Sequence, residues 1–243
     1  MFLYIFAGLL GVVNMIIWGI YGDLLIEKFK LLKVLRSVFI GLAWSVFLFF
    51  INSQLPLFII ALVVIALERI TTEIYKTLIR VEDQRKYKIP SDLNIMIGRR
   101  FKFLFGFVLI FMLGTLIYLI EISISKIYLT LIIGFIIALG GMLKDAPFEG
   151  FDTLKFFRSP LIAIIVGVGL LLTFPSLAGK YFLLAVAGAE RIVSEFYKKI
   201  LRGRVPGKFQ KKELNTSWQY KRKWLLIPYT LGSACLLYLF YLK

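Results

Sequence analysis

Eight of the 14 carboxylates in this 243-residue sequence fall into four pairs, each 122 positions apart: Asp23/Asp145, Glu27/Glu149, Glu68/Glu190 and Glu73/Glu195. They belong to two longer motifs. The first, D x3 E x F x3 K x2 R S, reads Asp23, Glu27, Phe29, Lys33, Arg36, Ser37, and again Asp145, Glu149, Phe151, Lys155, Arg158, Ser159. On a helix an aspartate and a glutamate four positions apart share a face, and oxygen ligands so placed suit a hard cation. The basic groups that follow, Lys33, Arg36, Lys155 and Arg158, can take phosphate oxygens. The pattern therefore predicts a site for a metal and a phosphate; the other reading, an amphipathic interfacial helix with its charges in the headgroups, explains Lys33 and Arg36 but not the duplicated acids beside an anionic leaflet. Lys144 and Asp152 enrich the second copy, where Pro147 and Gly150 predict a bent loop rather than a continuous helix.

The second motif, E R I x2 E x Y K x3 R, begins at Glu68 and again at Glu190. It sets Arg69, Glu73, Lys76 and Arg80 along one helical stripe, and Arg191, Glu195, Lys198 and Arg202 along another. Exposed ion pairs at such spacings contribute only about 0.2–0.5 kcal/mol each, so a surface ladder is one reading. Glu68 and Glu190, however, directly end apolar runs, where an ionisable group is costly unless it meets a partner or a cavity. Two uses stay open for Glu68, Arg69, Glu73, Tyr75, Lys76, Glu190, Arg191, Glu195, Tyr197 and Lys198: pairing between the two copies, or lining a polar cavity.

The elements that position these residues must be membrane helices. Hydrophobic residues make up 60% of the chain, above the ~45–50% usual in soluble domains. Apolar runs at Phe2–Tyr21, Ser37–Ile51, Leu55–Leu67, Phe103–Ile120, Ile127–Leu143, Ser159–Phe174, Tyr181–Ala189 and Trp224–Leu242 predict eight transmembrane helices. Phe2–Tyr21 lacks the basic start and small-residue cleavage site of a signal peptide and reads as a true span. The fold class is all-α integral membrane protein. Asn14 and Trp18 have no like counterparts at Ile136 and Gly140, and read as packing residues.

Both motifs recur at one offset with no gap between them, so residues 1–121 and 123–243 read as two copies of a four-helix unit. Four is even, so both copies enter the membrane in the same direction. They form parallel repeats about a pseudo-two-fold axis along the membrane normal.

All but three of the 30 Lys and Arg, namely Lys126, Lys180 and Lys243, fall on one side of these spans. The positive-inside rule makes that side cytoplasmic and both termini external. The net charge of +16 thus follows from topology and anionic headgroups, with membrane lipids as partners rather than nucleic acid. The absence of histidine and the single Cys235 exclude His-based catalysis, cysteine metal sites and an intrachain disulfide.

Lys144-Asp145 through Glu149-Gly150 and Asp152, followed by Arg158-Ser159-Pro160, resembles the second Asp-rich motif of the UbiA superfamily of membrane prenyltransferases. Gly22-Asp23, followed by Arg36-Ser37 and Gly41, resembles its first. Phe148 stands where that family's middle aspartate would be, with Glu149 one residue later; Ile26 and Lys30 take the corresponding places in the first motif. The resemblance implies Mg²⁺ on Asp23, Glu27, Asp145, Glu149 and Asp152, holding the diphosphate of a polyprenyl donor. Lys33, Arg36, Lys155 and Arg158 would then neutralise the leaving group, and the prenyl group would pass to a lipid or aromatic acceptor. Two other readings fit parallel repeats: a transporter or channel with its site between the repeats, and a non-catalytic membrane scaffold that docks anionic lipid. The paired charges lie at one membrane boundary rather than the midplane, which favours headgroup chemistry.

Overall fold

A computed structural model of the chain describes residues 1–24, 29–76, 99–119, 121, 124–149, 153–198 and 222–242. Among these the secondary structure is entirely helical. The helices are α1 (Phe2–Asp23), α2 (Leu31–Ile51), α3 (Leu57–Ile74), α4 (Arg99–Leu119), α5 (Lys126–Glu149), α6 (Thr153–Thr173), α7 (Gly179–Phe196) and α8 (Leu226–Tyr241), the last preceded by a 3₁₀ turn, Arg222–Leu225. Helix is the form in which an apolar segment satisfies its own backbone polar groups without water.

Four stretches are long and apolar enough to cross a membrane: Phe2–Gly22, Leu31–Ile51, Phe156–Thr173 and Arg222–Tyr241. Leu104–Leu119 and Lys126–Gly140 are apolar but shorter. The distribution of apolar side chains is that of a membrane protein. Phe39, Phe50, Phe111, Leu172 and Tyr241, on four different helices, are each more than 60% exposed, whereas soluble proteins avoid large outward apolar surfaces.

α3 and α7 differ from the rest. Every residue from Ile59 to Glu68 is buried, as are Tyr181, Phe182 and Leu184–Gly188. A helix that is apolar all round belongs in a core, and these two pack against each other at the centre. α1, α2 and α8 lie against α3, while α5 and α6 lie against α7. Gly188 makes the central crossing possible, because a Cβ there would collide with the Leu62 backbone carbonyl. Small residues at such crossings let helix backbones approach.

The helix bounds repeat: α6 begins and ends 122 positions after α2, and α7 does the same after α3. The contacts repeat too, with large and small partners exchanged. Gly8 of α1 abuts Ser45 of α2, and 122 positions on Thr130 abuts Gly167. Gly41 likewise abuts Val12, where Gly134 abuts Ala163. At each crossing a glycine faces a larger residue, and the side that carries the glycine changes between the two.

The last helices break this correspondence. α8 packs on α1 and α3, with Asn14 Nδ2 donating to Ser233 Oγ at 3.2 Å and Trp18 stacked on Tyr229 at 4.2 Å. Asn14 and Trp18 therefore pack, and α8 is what they pack against. α4 instead lies near α2, where Gly114 faces Phe47 and Trp44. At Gly140, which corresponds to Trp18, an added Cβ would meet nothing within 4 Å among the described residues.

One expectation is overturned. The chain does not leave the helix before Pro147: α5 continues through it to Glu149. A proline close to a helix end removes one hydrogen bond that a long apolar helix can lose. α6 similarly carries Pro160, whose Cα lies 2.7 Å from the Cβ position of Gly134.

Gly188→Ala is expected to lower stability by about 2–3 kcal/mol through overpacking against Leu62. Gly140→Ala should be neutral or stabilising by about 0.5 kcal/mol, the ordinary gain of alanine in a helix. Thermal unfolding in detergent measures both, and equal losses would contradict this packing.

Candidate functional site

Polar groups gather where the C-terminal ends of α3 and α7 meet the N-terminal ends of α2 and α6. Glu68 and Glu190 are almost fully buried, with 4% and 1% of their surface exposed. Each reaches across to the other central helix. Arg191 Nη1 donates to Glu68 Oε2 at 3.0 Å, and Arg69 Nη1 lies 3.5 Å from Glu190 Oε2. Arg191 Nη1 also meets the Ile65 carbonyl at 3.5 Å. The second carboxylate oxygens are served from one turn on: Thr72 Oγ1 donates to Glu68 Oε1 at 2.8 Å, and Ser194 Oγ donates to Glu190 Oε1. Ser37, at the start of α2, stands beside Glu68 as well. A buried charge is tolerable when paired and hydrogen-bonded in this way.

One turn further, both central helices widen into a π turn, at Tyr75–Lys76 and Tyr197–Lys198. Lys76 Nζ lies 3.3 Å from Glu73 Oε1, and Lys198 Nζ lies 3.2 Å from Glu195 Oε1. The two tyrosines join the motifs. The Arg36 guanidinium sits 5.0 Å over the Tyr75 ring, and that of Arg158 sits 5.6 Å over Tyr197. Both contacts are within cation–π range. The Nε atoms of Arg36 and Arg158 are buried and have no hydrogen-bond partner among the described residues.

The junction is electropositive. Burial pushes the Lys198 ammonium below its ordinary lysine value; Arg69 and Arg158 push the same way, and Glu195 opposes them. An arginine stacked on a ring presents a rigid, planar fork suited to phosphate.

The remaining site residues of the first motif are placed only in part. Lys33 lies half-buried in the first turn of α2. Asp23 closes α1, Asp145 and Glu149 fall in the last two turns of α5, and Lys155 lies in the first turn of α6, all four described by backbone alone. Glu27 and Asp152 lie outside the described residues. Among the described residues no group of three acidic, histidine or cysteine side chains could hold a metal ion. The donor chemistry of the five acids still suits one. Carboxylates at a helix C-terminus face the negative end of its dipole and call for a cation, and all-oxygen donors match Mg²⁺.

Sequence spacing did not point to Thr72 and Ser194, although the hydroxyl recurs 122 positions apart and four residues after a buried glutamate. Arg222, Tyr21 and Tyr229 were missed because nothing in the duplicated pattern marks them.

The chain matches no family model, no curated protein and no solved structure. Its function must be argued from this junction.

Glu190→Gln is expected to cost about 3 kcal/mol, because it leaves Arg69 facing a buried neutral amide. Glu73→Gln, which loosens a half-exposed pair with Lys76, should cost about 0.5 kcal/mol or less. Denaturant unfolding of the purified variants separates these; similar losses would contradict the assignment of Glu190 to the helix crossing.

Proposed function

We propose that the protein is a membrane-embedded prenyltransferase that binds a polyprenyl diphosphate at the charged end of its helix bundle. The observation that carries this reading is the pair of arginine–tyrosine stations, Arg36 on Tyr75 and Arg158 on Tyr197. The glutamates nearest to them are engaged by Arg69, Arg191, Lys76 and Lys198. Arg36 and Arg158 are thus basic groups whose charge no described carboxylate cancels, and a diphosphate would supply the missing anion.

In the same proposal all eight helices cross the membrane as two parallel four-helix repeats, residues 1–121 and 123–243, with the charged end cytoplasmic and both termini external. The shared helix bounds and the exchanged contacts at Gly8/Thr130 and Gly41/Ala163 support the duplication, and the positive-inside rule supports the orientation.

The reaction breaks the bond between the allylic carbon and the diphosphate oxygen. It forms a bond from that carbon to a nucleophilic acceptor, lipid or aromatic, which loses a proton. A magnesium ion held by Asp23, Glu27, Asp145, Glu149 and Asp152 would help neutralise the departing diphosphate. Arg36 and Arg158, with Lys33 and Lys155 one turn earlier on their helices, would take its oxygens. Glu68 and Glu190 hold the central helices, and so the tyrosines, in place. The donor's tail would lie among the apolar helices.

Binding of a polyprenyl diphosphate to the purified protein, with and without Mg²⁺, tests the proposal. Wild type is expected to bind only with the metal. Asp23→Asn and Asp145→Asn should each abolish this metal-dependent binding, and Arg158→Gln should weaken binding about tenfold or more, the worth of a charge-assisted hydrogen bond. No binding by folded wild-type protein would sink the proposal and favour transport or scaffolding.

A further inference from the structure

Arg222 opens the 3₁₀ turn that leads into α8, and its guanidinium lies 5.0 Å over the Tyr21 ring at the end of α1. Beneath it is an aromatic stack. Trp18 lies between Tyr21 (5.4 Å, 26°) and Tyr229 (4.2 Å, 8°), with Phe196 of α7 at 6.4 Å. Nε and Nη1 of Arg222 are both sealed from solvent, and neither has a hydrogen-bond partner among the described residues. Two of the three nitrogens of a full positive charge are therefore desolvated, with no hydrogen-bond acceptor for them among the described residues. That raises the demand for an anion at the third nitrogen, Nη2.

The station is single. The positions corresponding to Tyr21, Trp18 and Tyr229 hold Leu143, Gly140 and Phe107, so the other half of the molecule cannot build it. It also sits where the aromatic interior meets the outer surface. Trp224, two residues on, is 72% exposed, and Ile227 and Leu231 of α8 face outward. Tryptophan and arginine together at such a place mark the headgroup level of a bilayer.

We propose that Arg222, stacked on Tyr21, binds the phosphate of one anionic phospholipid, whose acyl chains lie along the outward face of α8. The aromatic stack sets the plane of the guanidinium, and so the direction in which Nη2 donates to a phosphate oxygen. This site is distinct from the Arg36 and Arg158 stations and does not depend on prenyl transfer. The rival is a basic residue that merely sits in the headgroup field; such an effect would be shared by any neighbouring lysine.

The test is the rise in thermal midpoint of the detergent-purified full chain on adding phosphatidylglycerol, phosphatidylcholine or inorganic phosphate, for wild type, Arg222→Gln, Arg222→Lys and Lys223→Gln. Wild type and Lys223→Gln are expected to respond to phosphatidylglycerol and not to phosphatidylcholine. Arg222→Gln should need about tenfold more lipid for the same rise. Arg222→Lys keeps the charge and guards against misfolding of the glutamine variant; it should need severalfold more lipid than wild type, because an ammonium lacks the planar stacking on Tyr21 that directs the donor. An unchanged response in either Arg222 variant overturns the proposal, as does an equal loss in Lys223→Gln. A response to inorganic phosphate as large as that to phosphatidylglycerol overturns the lipid as the source of the phosphate. Magnesium-dependent diphosphate binding in Arg222→Gln is expected to match wild type, so failure here and failure of the prenyltransferase reading are told apart.

Discussion

A glutamate buried near the end of an apolar helix needs a cation, and in this protein each central helix finds its cation on the other. Glu68 of α3 takes Arg191 of α7, and Glu190 of α7 takes Arg69 of α3. The pairs cross, so neither can form if the two helices slide or rotate relative to each other. Removing the arginine from such a pair leaves a buried carboxylate uncompensated. The close approach at Gly188 and Leu62 and the hydroxyls of Thr72 and Ser194 serve the same crossing. It fixes the register of the core on which the outer helices pack.

The chemistry at the charged end follows from that constraint. Once the glutamates are engaged, Tyr75 and Tyr197 stand at fixed places about two turns beyond them and receive Arg36 and Arg158 from the starts of α2 and α6. Two basic stations thus flank a neutralised centre. The third, Arg222 on Tyr21, arises where α8 covers α1; at Gly140, the position 122 after Trp18, an added Cβ would meet nothing within 4 Å among the described residues. The first two stations recur at the 122-position offset, and the third does not.

Much of this was legible in the sequence, for identifiable reasons. Apolar run length marks the helical segments, four of which are long and apolar enough to cross a membrane. The 122-position offset links α2 to α6 and α3 to α7, whose bounds recur at the same spacing. Spacing alone left the second motif divided between pairing and a cavity. It tells which face of α3 carries Arg69 and not what that face meets. Pro147 misled because its rule assumes a helix in water, where an alternative backbone conformation costs little. Arg222 was invisible, since its significance comes from Trp18, Tyr21 and Tyr229, which are brought together only by the packing of α8.

The central claim is that the crossed pairs between α3 and α7 hold the core. A double-mutant cycle on unfolding stability, with Glu68→Gln, Arg191→Gln and the two combined, measures it most directly. The account expects a coupling energy of about 1–3 kcal/mol, the range for directly interacting charged residues, with the double variant far less destabilised than the two losses added together. A coupling near zero would mean that the two residues stabilise the protein independently, and would contradict the account.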